Sequence, residues 1–504
     1  MNVSDKGREV IGKWRRSVRE PVVPKESTKL RSHSLLFQYS VVVANLSTLL
    51  SSLDSAVNIA FPAITAAFSL EVASIQWVVV GYVLTHASLL LGCGRLADLW
   101  GHGRLLTWGL LASAVAFVGC GLAPTFAWLV VARVGQGVAA ALVSASAPAL
   151  VTLAVPGELR GRALGIFQMS AAAGYALGPL IGGLLVDGFG WRAVYLFRLL
   201  PALFLAWLAA VKLPPFRERR EAQCFDLLGA LTLAGSIGGF LLGISRGRSL
   251  GWTSPHVVIL LLVSAICFGG FLVTETRARA PVVNLSLFRR PSFIIANLLT
   301  VLANCARFAI GLLMPYYVID VLRYPATTGG SLMLAVAMMT TIAAPVTGRL
   351  SDRFGTARLS SLGLALEGLG LWMISRLDAR ADYLSLAVAL GVVGLGLGVF
   401  EAPNMSFVMG AIPRTQQGVA GSINNMARTL GIVFGATGAS LIFDERRRFY
   451  SEQRSPEVPA DFQGFVPAFQ EVFLFAAGLC VLAFGLSLLR RREGAESNAA
   501  AKEN

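Results

Sequence analysis

Charge is scarce in this 504-residue chain: Asp, Glu, Lys and Arg make up 14% of it, against 55% hydrophobic residues. A soluble domain of that composition would expose large apolar patches, so the soluble globular class is excluded. Histidine is nearly absent, and His33, His86, His102 and His256 are too dispersed to ligate a metal. The six cysteines (Cys93, Cys120, Cys224, Cys267, Cys305, Cys480) show no CxxC or other ligand spacing, which leaves free apolar packing as their reading. No GxxxxGK[ST] loop occurs, which argues against nucleotide hydrolysis. Energy for any transport must then come from a gradient or a partner. Neither a metal nor a cofactor is expected.

What the chain has instead is apolar length. Runs that cross about 30 Å of hydrocarbon number about fourteen, which predicts an all-α polytopic membrane protein embedded in a lipid bilayer. With the N-terminus inside, roughly 29 basic residues fall on inner loops and tails and roughly 10 on outer ones, and the reverse orientation inverts the ratio. The net charge of +15 is therefore mainly a topology signal. It places both termini in the cytoplasm of a multi-pass protein of the cell (inner) membrane. Basic residues scattered over many short loops argue against nucleic acid as a partner. The first apolar run is too long for a signal-peptide core and lacks a small-residue cleavage pattern.

A twelve-residue block occurs twice, GRLADLWGHGRL at 94–105 and GRLSDRFGTARL at 348–359. Each copy follows an apolar run and carries charge that a bilayer core rejects, so each marks a helix exit. The repeat predicts a duplicated bundle. The expected organisation is a basic cytoplasmic tail at 1–33, a six-helix bundle at 34–211, loops with two additional membrane helices at 212–291, a second six-helix bundle at 292–489 and a cytoplasmic tail at 490–504. Two halves of equal topology place a substrate site between them near the midplane.

Further motifs stand in order along the chain: Leu53-Asp54 with Asn58 and Pro62, then the loop from Gly94 to Arg104, then Arg133 with Gln136 and Gly137. Gly174, Gly178, Pro179, Gly182 and Gly183 follow, and then Gly251-Trp252. Over roughly residues 35 to 490 this set resembles the major facilitator superfamily and, within it, the fourteen-span drug/proton antiporters of the EmrB/QacA type. The resemblance implies the major facilitator fold with two extra central helices, and a GxxxGPxxGG antiporter signature in span five. It also implies proton coupling at Asp54 and Arg133. The chain departs from the family at His102 and Gly103, at Arg198 where Asn is usual, and at Glu401 where Gln is common.

The residues have physical readings of their own. Asp54 and Arg133 fall at similar depth, roughly 10 to 13 Å below the outer surface at about 1.5 Å per residue. A carboxyl poised between burial and an arginine can load and release a proton, and a static ion pair joining spans one and four is the competing reading. In the repeat, Gly94, Asp98, Gly101 and Arg104, with Gly348, Asp352, Arg353, Gly355 and Arg358, form a pair of gating latches. Asp98 and Asp352 would each pair with an arginine and face a helix N-terminus only while the cytoplasmic ends are close. An ordinary turn with topology-setting arginines is the plainer alternative. Gly174, Gly178 and Gly182 form a smooth stripe at i, i+4 and i+8 that admits another backbone, and helix packing alone would also produce it.

Buried charges Arg198, Arg307, Glu367, Glu401 and Arg428 are substrate-cavity candidates by default, although Glu401 and Arg428 match in depth and can simply pair. Tyr316 and Tyr317, with Met and Phe neighbours, offer adaptable apolar surface, or else core packing. The expected function is a proton-coupled secondary transporter, not an enzyme, which exports amphipathic small molecules by alternating access. Its partners are a small-molecule substrate and protons, with a periplasmic adaptor where the cell has an outer membrane. One alternative is a transporter of one specific metabolite or anionic compound. Another, of a different class, is a non-transporting membrane sensor or scaffold.

Overall fold

A computed structural model of the chain describes residues 25–155, 160–213, 227–277, 290–410, 417–452 and 464–503. Among the described residues all regular structure is helical. The first half contains α1 (Lys25–Ser52), α2 (Ala56–Ile59), α3 (Phe61–Ala67), α4 (Gln76–Trp100), α5 (His102–Gly121), α6 (Phe126–Leu153), α7 (Arg160–Phe189), α8 (Ala193–Leu196) and α9 (Leu199–Lys212). Two helices follow, α10 (Leu227–Leu250) and α11 (Pro255–Arg277). The second half contains α12 (Pro291–Tyr316), α13 (Ala326–Phe354), α14 (Thr356–Ile374), α15 (Tyr383–Gly410), α16 (Gln417–Glu452) and α17 (Phe465–Glu503). The tail before residue 25 and most of the two loops expected near 212–226 and 278–290 lie outside the described residues.

Among the described residues, twelve helical segments are long and apolar enough to cross a membrane, against the fourteen expected. The two remaining segments are helical but less apolar. In α10 the apolar stretch is confined to Leu231–Phe240, and α14 carries Arg358 and Glu367 among glycines and serines. Large apolar side chains such as Leu262, Ile266, Leu203 and Phe475 cover the outside of the bundle. Such a surface is stable against lipid, where each helix satisfies its own backbone hydrogen bonds.

The chain direction follows from contacts. In α7, Gly174 meets Leu49 and Ser52, and Gly182 meets Ala56 and Ile59, so α7 runs parallel to the first span. At the opposite sense, Ser361 of α14 bonds Ser487 of α17 at 2.7 Å, and Cys480 sits beside Gly368. The start of α1 and the end of α17 consequently share one face, here termed the terminal face. The start of α13 meets the end of α7 on the other, the far face. On the far side the two halves share one core, in which Ala56, Phe61 and Ile64 pack with Leu313, Tyr316 and Tyr317. In α10 and α11, Gly239 packs against Leu260 and Ser264, and Phe240 of α10 also meets Phe434 of α16.

Candidate functional site

Two helix breaks build the first half of the site. The first span leaves α-helical geometry after Ser52, where Leu53–Ser55 forms a 3₁₀ turn that carries Asp54. A short 3₁₀ stretch within a long helix re-aims its side chains. Gly178 of α7 makes room for that turn, since a methyl there would strike the Ser55 hydroxyl. The sixth span breaks between α8 and α9, beside Pro201, which has no N–H to return to the Phe197 carbonyl. Arg198 stands at that break.

Both breaks aim at one point. Arg133 of α6 grips Asp54 through both carboxylate oxygens, with Nη1–Oδ1 at 2.7 Å and Nη2–Oδ2 at 2.9 Å. Its Nε donates to the Val78 carbonyl at 2.8 Å, and its guanidinium lies 4.5 Å from the Tyr82 ring centroid. Gln136, one turn further along α6, donates its amide to Asp54 Oδ1 at 2.8 Å and accepts from Arg133 through Oε1 at 2.8 Å. Arg198 adds a third donor to Oδ1 at 2.9 Å. A carboxylate receiving four charge-assisted or amide bonds is held ionised and rigid.

The cluster therefore holds two guanidinium groups against one carboxylate. Its surplus charge belongs to Arg198, which is fully buried and has no hydrogen-bond partner at Nε or Nη2. Phe117 stacks on it, with the guanidinium 4.5 Å from the ring centroid. Nearby, His86 bonds the Ser144 hydroxyl at 3.2 Å and stacks on Tyr82. The sequence pairs Asp54 with Arg133 by depth. It assigns Arg198 to the cavity, and the structure places it on Asp54 instead.

The other candidates lie in the second half. Glu401 of α15 pairs with Arg428 of α16, and both side chains remain partly exposed. Arg307 of α12 donates to the Asn304 side chain, leaving its Nε without a partner. Tyr175 of α7 is 61% exposed and lies within electrostatic reach of both Arg307 and Arg428. The halves face each other across the membrane interior at that place. Glu367 is wholly buried in α14, with Arg307 and Glu401 within electrostatic reach. Tyr316 and Tyr317 are buried as well, one bonding Thr65 Oγ1 at 2.5 Å and the other donating to the Asp378 carbonyl and stacking on Phe469 at 4.4 Å. In this conformation they seal the far face and line no open cavity. A cavity of about 350 Å³ on the far side, lined by Glu71, Trp77, Arg246 and Arg448 among others, contains none of the candidate residues.

At the far face the halves are latched. The Asp187 carboxylate, near the end of α7, accepts the backbone amides of Ala326 and Thr327 at 3.0 and 2.8 Å and the Thr327 hydroxyl at 2.6 Å. It caps the N-terminus of α13 from across the interface. Gly183 packs on Ala326 and Thr327, and Gly330 on Pro179, so neither admits a side chain. The glycine stripe thus serves two contacts, with Gly174, Gly178 and Gly182 against the first span and Gly183 against α13.

The terminal face differs. Gly94 and Gly348 have no heavy atom within 4 Å of an added Cβ, and Trp100, Leu350 and Phe354 are exposed. Gly101 and Gly355 end their helices at φ +94° and +86°, the conformation that the repeated glycine supplies. Arg104, Arg353 and Arg358 are exposed. The side chains of Asp98 and Asp352 lie outside the described residues. Among the described residues no cluster of His, Cys, Asp and Glu is arranged to hold a metal.

Comparison with known proteins identifies the family and the fold. The Major Facilitator Superfamily profile matches residues 44–436 and 296–504. The chain is 32% identical over 380 residues to the multidrug resistance protein Stp of Mycobacterium tuberculosis, covering 75% of this chain and 70% of that protein. It is 30% identical over 413 residues to the tetracenomycin C resistance and export protein of Streptomyces glaucescens, covering 81% and 77%. To the riboflavin transporter RibZ of Clostridioides difficile it is 26% identical over 455 residues, covering 90% and 97%. Its fold superposes on the inward-facing, unoccupied structure of a bacterial homologue of the human lysosomal transporter Spinster with a TM-score of 0.66 at 15% identity, covering 92% and 97%. With its paired helical halves, its far-face latch and these relatives, the chain belongs to the major facilitator superfamily.

Proposed function

We propose that the protein exports amphipathic small molecules in exchange for protons, by alternating access between its two halves. The observation that carries this reading is the Asp54 cluster. A membrane-embedded carboxylate is gripped by Arg133, Arg198 and Gln136 while the far face is closed. A static structural pair needs one arginine, whereas the second guanidinium makes ionisation of Asp54 the condition for this packing. Protonation would release both arginines and loosen spans one, four and six together, tying proton load to conformation. Cargo would sit at the half-to-half opening near Tyr175, Arg307, Glu401 and Arg428. The loops at Gly94–Leu105 and Gly348–Leu359 would latch the terminal face in the opposite state. Relatives named for multidrug resistance and antibiotic export support this reading. The riboflavin transporter, similar over nearly its whole length, favours the second reading of a single metabolite as cargo.

Fourteen crossings are part of the proposal. The exposed residues of α14 include Leu362, Ala365, Leu369 and Trp372, an apolar stripe suited to lipid although the helix carries Glu367 inside. The terminal face would be cytoplasmic in a cell (inner) membrane, by the excess of basic residues on its loops. The test is proton flux in inside-out vesicles challenged with cationic, neutral and anionic amphiphiles. Collapse of an imposed pH gradient by at least one compound is expected, and Asp54→Asn should insert normally yet abolish it. A gradient that no compound disturbs, or undiminished coupling in the variant, overturns the reading.

A further inference from the structure

The two halves hold their buried carboxyls in opposite circumstances. Asp54 is saturated with donors, whereas Glu367 has no hydrogen-bond partner at either carboxyl oxygen and no solvent exposure. Its surroundings are tight. In α15, Gly396 lets the Glu367 backbone approach, and a Cβ at the next residue, Gly368, would stand 3.0 Å from Cys480 of α17. The ionisable groups within reach are Arg307 of α12, Glu401 of α15 and Cys480 of α17, with Cys305 of α12 behind Cys480. An ionised carboxylate without partner or water costs far more than a neutral acid, so the packing shown here is that of the protonated form.

Arg307 is the one cation among these neighbours, and it is also incompletely satisfied. It is held by the Asn304 side chain, and its Nε has no partner. An acid and an arginine thus lie within electrostatic range of each other, neither bonded to the other and each short of partners. We propose that Glu367 is a proton-binding site of the second half, loaded in this conformation and unloaded when Arg307 leaves Asn304 and pairs with it. The proton passes from the carboxyl to water in the half-to-half opening, and Arg307 remains charged throughout. Because Arg307 also lies in the field of the Glu401–Arg428 pair, occupancy at that opening would bias where the guanidinium points. The inference deepens the proton-coupled reading above and rests on it for its role in transport.

Infrared difference spectroscopy on the full chain in liposomes tests the loading directly. The wild-type protein should show the carbonyl stretch of a protonated, weakly hydrogen-bonded carboxylic acid, absent in Glu367→Gln and fading through the alkaline range. In Arg307→Gln the band should persist to higher pH, because the partner that favours unloading is gone. A band unchanged in Glu367→Gln, or a wild-type band that survives the whole alkaline range, overturns the proposal. Should Glu367→Gln fail to insert, the wild-type titration and Arg307→Gln still decide it. A transport arm uses ethidium and riboflavin as probes, where protons released per molecule moved should fall about twofold in Glu367→Gln. Flux in the wild type with an unchanged ratio in that variant counts against Glu367 alone. Flux absent from the wild type with every probe counts against the proton-coupled reading, and the infrared result stands apart from it.

Discussion

Arg133 holds Asp54 by both carboxylate oxygens while its third nitrogen reaches the Val78 carbonyl, so one side chain ties spans one, two and four to a single point. Lysine cannot reproduce that contact, because a single ammonium offers no planar fork. Arg133→Lys should leave the protein inserted but lower substrate-driven proton flux by about tenfold or more, while Arg133→Ala should destabilise it by about 3–5 kcal/mol, the cost of orphaning a buried partner. Flux in vesicles and the denaturation midpoint in detergent measure the two effects.

Arg198 contributes differently. It adds one bond to Asp54 and leaves two buried nitrogens unsatisfied, so removing it deletes an attraction and a desolvation cost together. Arg198→Met is expected to cost under about 2 kcal/mol, less than Arg133→Ala. In the Asp54→Asn background, where Arg198 has lost its counter-charge, the same change should stabilise. A double-mutant cycle on unfolding midpoints gives the sign, and a positive cost in both backgrounds would contradict the charge balance described here.

These two arginines mark what the sequence reveals and what it conceals. Asp54 and Arg133 are recognisable as partners because both sit at the same depth in unbroken apolar runs, and depth is read by counting residues. Arg198 sits at equal advantage only because its helix breaks beside Pro201 and turns the side chain inward, a consequence of local backbone geometry that depth does not encode. Asp187 is hidden for another reason, since its partners are backbone amides that every residue possesses. Mean apolarity passes over α10 and α14; in α14, Glu367 and Arg358 lower it although the exposed residues beyond Arg358 include Leu362, Ala365, Leu369 and Trp372. The repeated loops locate their turns well, and both glycines do adopt positive φ.

Those turn glycines make a narrow prediction. Gly101→Ala and Gly355→Ala force an L side chain into a positive-φ, extended-ψ conformation that costs about 1–3 kcal/mol, with no steric neighbour to add to the cost at Gly355. Each should lower the unfolding midpoint modestly and spare insertion. Combining them should roughly double the loss, because the turns lie in separate halves.

The Glu401–Arg428 pair invites a charge exchange. Its members are partly exposed toward the opening between the halves, so their geometry is less constrained than that of Asp54 and Arg133. Glu401→Arg or Arg428→Glu alone should reduce transport at least tenfold by placing like charges together, and the double exchange should recover a substantial part of it. Initial uptake rates in vesicles distinguish this from a fixed requirement for Arg428 at its own position, which predicts no recovery.

The far-face latch makes the conformational prediction. Asp187 supplies acceptors for two amides at the start of α13 and for the Thr327 hydroxyl, and charge-assisted bonds of this kind contribute about 1.5–3 kcal/mol each where buried. The Thr327 side is exposed, which puts the net effect near the lower figure for the whole cap. Asp187→Ala should therefore shift the equilibrium toward a far-face-open state by about tenfold, since about 1.4 kcal/mol corresponds to that ratio. Gly183→Leu should act in the same direction by another route, because its side chain would occupy the space of Ala326 and Thr327. Spin-label distances between the ends of α7 and α13 report the populations. The two variants combined should move them little further than Gly183→Leu alone, because a latch that cannot close has no cap left to lose.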